Sequence, residues 1–127
     1  MSPVPGDPRA RLGALGEAAA VEELRRRGYR ILARNYRCRG GEADIVAEIG
    51  AVLIFVEVKT RTDLRHGLPR EAVGWTKQQR LGAAAQRYCE EHEIEDRPIR
   101  FDVVEVVMLR REVAAVEIIP DAFVPEL

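Results

Sequence analysis

Ile54-Phe55-Val56-Glu57-Val58-Lys59 reads as a buried β-strand with two charges set into it. An aliphatic run of this length suits a strand covered on both faces. A carboxylate and an ammonium there are costly to desolvate unless something pairs with them. The two-residue repeat of a strand puts Glu57 and Lys59 on one face. Just upstream, Ala43-Asp44-Ile45-Val46-Ala47-Glu48-Ile49 reads as a second strand. Gly50-Ala51 lies between them, and glycine first in a two-residue loop fits a type II′ hairpin turn. In that register Ile49 faces Val52 and Asp44 faces Glu57. Directly opposed residues have Cβ atoms roughly 4.5–5.5 Å apart. Two carboxylates so placed repel unless a proton or a cation lies between them. A hard divalent cation with oxygen ligands is the natural occupant. The pattern suggests metal-assisted hydrolysis, with Lys59 beside the reacting centre. With the turn moved to Ile49-Gly50, Glu42 would take the place of Asp44 opposite Glu57. In the preferred register Glu42 faces Lys59 and can pair with it. A structural salt-bridge cluster, or inward charges guarding a strand edge, is the competing reading.

Lysine usage points to the same place. The chain has 18 Arg but two Lys, Lys59 and Lys77. A compact ammonium with rotatable donors can polarise a water or a developing oxyanion, a task for which a planar guanidinium is a poor substitute.

Outward from this core, 127 residues make one domain. At 46% hydrophobic and 32% charged, the composition is that of an ordinary globular chain. No stretch has the length of a membrane span and no signal segment opens the chain, so a cytoplasmic location is expected. Cys38 and Cys89 give no disulfide framework. Cys89 and His92 are spaced like half a zinc site, but Cys38 and His66 do not complete it. The net charge is −1, yet it is unevenly spread: residues 1–41 carry +5, residues 42–89 carry +1 and residues 90–127 carry −7. A basic half opposite an acidic half fits a polyanion held on one face.

The element order reads α-β-β-β-α-β-β. Residues 1–9 are expected as a loose tail, residues 10–119 as the domain and residues 120–127 as a second tail. A helix is expected over Ala10–Arg27 with Gly28 capping it. Its inward stripe would collect Ala10, Gly13, Ala14, Glu17, Val21 and Leu24, with Glu22 and Glu23 well off it and Leu12 and Leu15 opposite. A strand follows from Tyr29 to Tyr36, then a flexible basic loop, Arg37-Cys38-Arg39-Gly40-Gly41. Thr62–Pro69 reads as a polar loop holding His66. A helical region begins near Pro69 or Arg70 and restarts at an N-cap, Thr76, running to about Glu91. Lys77 lies near that start, where phosphate binding is favourable. Ile99–Leu109 and Glu112–Ile119 are two more strands joined at Arg110-Arg111. Trp75 and Tyr36 are aromatics that can stack on bases, although packing or capping is the commoner use.

Asp44, then Glu57-Val58-Lys59, with an acidic residue on a preceding helix, resembles the PD-(D/E)xK nuclease superfamily and its restriction-endonuclease-like fold. Gly13 to Glu17 on the first helix and the Gly28-Tyr29 step into the first strand are similar to archaeal Holliday junction resolvases. Over roughly residues 10–119 the chain resembles the YraN family of small bacterial proteins. Gly28-Tyr29-Arg30-Ile31-Leu32, Arg34-Asn35, Gly41-Glu42-Ala43-Asp44, Phe55-Val56-Glu57-Val58-Lys59-Thr60-Arg61 and Arg100-Phe101-Asp102-Val103-Val104 carry that likeness. Ala43 stands where the superfamily motif has its proline.

The resemblance implies a three-layer α/β/α domain around a mixed sheet of about five strands. It implies Mg²⁺ or Mn²⁺ held by Asp44, Glu57 and the Val58 carbonyl, with Lys59 activating or orienting water and Glu17 as an outer carboxylate. The expected activity is metal-dependent hydrolysis of DNA phosphodiesters, branched or structured sites included. The alternative is a non-catalytic nucleic-acid-binding module acting in a larger complex. Arg37, Arg39, Arg61 and Lys77 are the expected phosphate contacts. A two-fold homodimer is expected, since a resolvase must cut two strands symmetrically.

Overall fold

The computed structural model describes residues 8–62 and 73–126. Helix α1 (Pro8–Arg26) is followed by strands β1 (Arg30–Cys38), β2 (Gly41–Ile49) and β3 (Val52–Arg61). Helix α2 (Trp75–Glu91) and strands β4 (Ile99–Leu109) and β5 (Glu112–Ile119) complete the order α-β-β-β-α-β-β. The sheet has five strands in sequence order, antiparallel except where β3 runs parallel to β4. Parallel neighbours need a long crossover, and α2 lies within it.

The two helices cover opposite faces. Ala20, Val21 and Leu24 of α1 pack on Ile45, Ala47, Ile54, Val56, Val104 and Val106. Leu81, Ala84, Ala85 and Tyr88 of α2 pack on Val46, Leu53, Phe55 and Phe101. This double cover explains why Leu53 to Glu57 and Phe101 to Met108 are buried without a break.

Helix α1 stops by a Schellman motif. Gly28 adopts φ 91°, its N–H reaches the Arg25 carbonyl at 3.0 Å, and the Tyr29 N–H reaches the Leu24 carbonyl at 2.9 Å. Gly28 ends the helix as expected, and Tyr29 and Leu24 join the same apolar cluster. The inward stripe is rotated from the expected one. Gly13 and Ala14 are exposed, whereas Gly16, Ala20 and Glu23 are buried and Leu12 packs on the core. The cause is steric. A Cβ on Gly16 would lie 2.1 Å from Thr60 Oγ1, so α1 crosses β3 at the residue that has no side chain. Glu23 tolerates its burial because Arg26 and Arg27 hold it at 2.8 and 3.1 Å.

Three local expectations are revised. Arg37 and Cys38 belong to β1, so the basic loop shrinks to Arg39-Gly40. Gly74, not Thr76, is the N-cap of α2. Residues 120–126, expected as a tail, fold back: the Ala122 N–H donates to the Phe101 carbonyl, Phe123 stacks on Phe101, and Gln79 exchanges hydrogen bonds with the Glu126 backbone. The β4–β5 turn falls at Arg110-Arg111 as read, with φ 53° and 66°. Positive φ at both central residues is the type I′ pattern. Residues 63–70, most of the expected polar loop, and the proposed helical start near Pro69 or Arg70 lie outside the described residues.

Candidate metal centre

Strands β2 and β3 pair from Ile49↔Val52 to Ile45↔Val56. This is the register that places Asp44 at the level of Glu57, and it excludes the shifted hairpin that would bring Glu42 there. The backbone ladder ends at Ile45↔Val56. Beyond it, the Val58 N–H donates to Asp44 Oδ2 at 2.7 Å. The side chain thus takes over where the backbone of β2 leaves β3. In an extended strand a residue's N–H and C=O project from the same edge. The Val58 carbonyl is therefore directed toward the gap in which the Asp44 carboxylate lies.

Asp44 has an unusual electrostatic environment. Its pKa is pushed up from 3.8 to about 7, first by burial and then by the charge of Glu57. Glu17 and Glu42 add to the rise, and the Val58 N–H opposes it. A structural ion-pair cluster would hold such a carboxylate with a cation, and no salt bridge joins Asp44 to one among the described residues. Glu57 is treated differently. It is buried, and Lys77 of α2 reaches it with Nζ 3.1 Å from Oε1. Glu42 pairs with Arg37 and Arg80, each at 3.7 Å, and not with Lys59. Lys59 is half-buried on β3, two residues beyond Glu57 and in parallel register with Glu105.

Glu17 follows Gly16, where α1 lies against Thr60, and its charge is felt at Asp44. Its Oε1 accepts from Arg34 Nε at 3.2 Å and from Asn35 Nδ2 at 3.0 Å. Asn35 sits at φ 52°, a left-handed conformation that asparagine tolerates better than most residues. Nothing in the sequence alone gives Arg34, Asn35 or Gly16 this role. The adjacent Arg34-Asn35 pair was visible in the motif, but nothing local indicates that it holds a carboxylate 17 and 18 residues away.

Among the described residues, no three His, Cys, Asp or Glu side chains converge to hold a metal by themselves. Asp44, Glu57 and the Val58 carbonyl could offer two carboxylates and a backbone carbonyl, all oxygen donors. That suits a hard cation which keeps several waters, such as Mg²⁺ or Mn²⁺. A cation there would replace the proton that burial and the charge of Glu57 make Asp44 retain.

The expected phosphate contacts divide. Arg39 is exposed at the β1–β2 turn, and Arg37 is exposed on β1 beside Glu42. Lys77 is exposed on the first turn of α2 but engaged with Glu57. Arg61 is 7% exposed, with Nε 2.8 Å from Glu105 Oε2, an inward position away from a surface polyanion. Trp75 is 65% exposed, so it is not a core-packing residue. Tyr36 packs edge-on against Tyr88 and donates to Glu91 at 2.7 Å. No helix of the described residues is long and apolar enough to cross a membrane.

Residues 16–106 match the Uncharacterised protein family UPF0102. A UPF0102 protein of Symbiobacterium thermophilum is 54% identical over 96 residues, covering 76% of this chain and 81% of its own. One from Moorella thermoacetica is 48% identical over 116 residues, covering 91% and 97%. One from Caldicellulosiruptor saccharolyticus is 46% identical over 113 residues, covering 88% and 96%.

Proposed function

The chain belongs to the YraN-like UPF0102 family, and we propose that it is a divalent-metal-dependent nuclease hydrolysing phosphodiester bonds in DNA, branched and structured sites included. The observation that carries this reading is the Asp44–Glu57 pair. Two carboxylates are brought together at the edge of a closed core, and no salt bridge among the described residues joins Asp44 to a cation. The likeness of Asp44 and Glu57-Val58-Lys59 to the PD-(D/E)xK superfamily supports the same reading.

Asp44, Glu57 and the Val58 carbonyl would hold Mg²⁺ or Mn²⁺. When bound, the cation would supply Lewis-acid polarisation of the phosphoryl group and a more acidic water. Lys59, on the Glu57 face of β3, orients the attacking water and balances charge on the phosphate. Glu17, fixed by Arg34 and Asn35, forms the far wall and keeps the field at Asp44 negative. Arg37 and Arg39 lie on the surface of the adjoining strand and turn, where they engage the nucleic-acid backbone.

Cleavage of labelled linear, nicked, flapped and four-way DNA with Mg²⁺ or Mn²⁺ tests the proposal, with Asp44→Ala as control. Metal-dependent products from wild type and none from the variant are expected. Binding without cleavage would make the protein a non-catalytic nucleic-acid module. Light scattering with and without four-way DNA tests the two-fold dimer, whose contact surface would include the exposed Leu15 and Val113.

A further inference from the structure

We propose that Lys77 is the built-in counter-cation of this site: it holds Glu57 while no metal is bound and swings off it when a divalent cation arrives. The inference rests on the metal-site reading above. The Lys77 side chain is 54% exposed, yet its ammonium reaches inward to a carboxylate whose side chain is 9% exposed. Glu57 lies on the α2 face of β3, and Lys77 is the third residue of α2. The first turn of α2 contains no acidic residue that could hold the lysine elsewhere.

The charge arithmetic then favours exchange. Asp44, Glu57 and the Lys77 ammonium together carry −1 when both carboxylates are ionised. A divalent cation in place of the ammonium brings the pair to neutrality. A metal on the Glu57 carboxylate would stand close to the ammonium, and like charges at that range inside a partly buried site repel strongly. The lysine stem is flexible and mostly in water, so it can leave without disturbing the core. Once off Glu57, the ammonium would be available to a substrate phosphate oxygen. If the released ammonium meets phosphate, metal loading favours phosphate binding, and linkage makes the reverse effect equal.

The test compares wild type with Lys77→Met and Lys77→Arg. Mn²⁺ alone is titrated by calorimetry, and melting temperatures are taken without metal and at saturating Mn²⁺. Lys77→Met should bind Mn²⁺ roughly three- to tenfold more tightly, the effect of removing one partly screened charge. It should melt lower than wild type without metal, and the gap should close or reverse at saturation. Lys77→Arg should remain near wild type in both readouts. Mn²⁺ binding by wild type with no gain in Lys77→Met would overturn the Lys77 inference and leave the metal site standing. No Mn²⁺ binding by any of the three proteins would instead bring down the metal-site reading and this inference with it.

Discussion

The Val58 N–H donates to Asp44 Oδ2 at 2.7 Å, so a side chain completes the β2–β3 ladder one step beyond its last backbone rung. Asp44 is thereby held at the level of Glu57, near enough for the charge of Glu57 to raise its pKa. The pairing is intrinsically repulsive, and the protein tolerates it at the cost of a strongly perturbed titration.

That perturbation has a definite sign. The pKa of Asp44 is raised from 3.8 to about 7 by burial and by Glu57, so the folded state binds this proton more tightly than the unfolded state. Its contribution to stability is full below about pH 4 and is lost as pH rises through about 7. The metal-free protein should melt at lower temperature as pH rises across this window. Asp44→Asn should flatten the trend, and saturating Mn²⁺ should reverse the loss near pH 8 by binding the native state. Calorimetric Mn²⁺ affinity should climb through the same window in wild type and be weak throughout in Asp44→Asn. A variant that binds Mn²⁺ as tightly as wild type would remove Asp44 from the site.

Gly16 and Gly13 should respond in opposite directions to alanine. A Cβ at Gly16 would meet Thr60 Oγ1 at 2.1 Å and Thr60 Cβ at 3.2 Å. Overpacking of this kind costs about 1–3 kcal/mol, and pushing α1 off β3 would also displace Glu17. Nothing lies within 4 Å of a Cβ built on Gly13, so Gly13→Ala should gain about 0.5–1 kcal/mol of helix propensity. Urea titration of both variants checks this. Equal effects would mean that α1 does not rest on Thr60.

Arg37 and Arg39 should contribute through charge rather than through shape. If both contact phosphates, replacing them with glutamine should reduce the slope of log affinity against log salt by about 1.8, from roughly 0.9 per contact on duplex DNA. An unchanged slope would put the nucleic acid on another face.

Trp75 offers a direct reporter, being the chain's one tryptophan and 65% exposed at the start of α2. Its emission should be quenched more by single-stranded or flapped DNA than by blunt duplex, because an unpaired base can stack on the indole. Trp75→Phe should keep most of the affinity for flapped DNA, and Trp75→Ala should lose it. Identical quenching by all substrates would argue against stacking.

Much of the site could be read from local pattern. The hairpin register follows from Gly50, whose φ of 56° suits the turn, and from the two-residue alternation of the flanking strands. The same logic located β4, β5 and the Arg110-Arg111 turn. Period-based reading was weaker for α1, because its alanines and glycines carry little hydrophobic signal and several faces look alike. Glu23 therefore looked exposed and Gly13 looked inward.

By itself the sequence determined the order of elements and the pairing of β2 with β3, and it narrowed the partner of Glu57 to Asp44 or Glu42. Those are short-range consequences of strand periodicity and turn chemistry. Only the tertiary structure decided which α1 glycine touches β3, that Arg34 and Asn35 hold Glu17, that Lys77 rather than Lys59 pairs with Glu57, and that Arg61 turns inward to Glu105. Each of these joins residues on separate elements, and such contacts depend on how the helices rotate and settle on the two faces of the sheet. That is fixed by steric fit over the whole core, which no local pattern encodes.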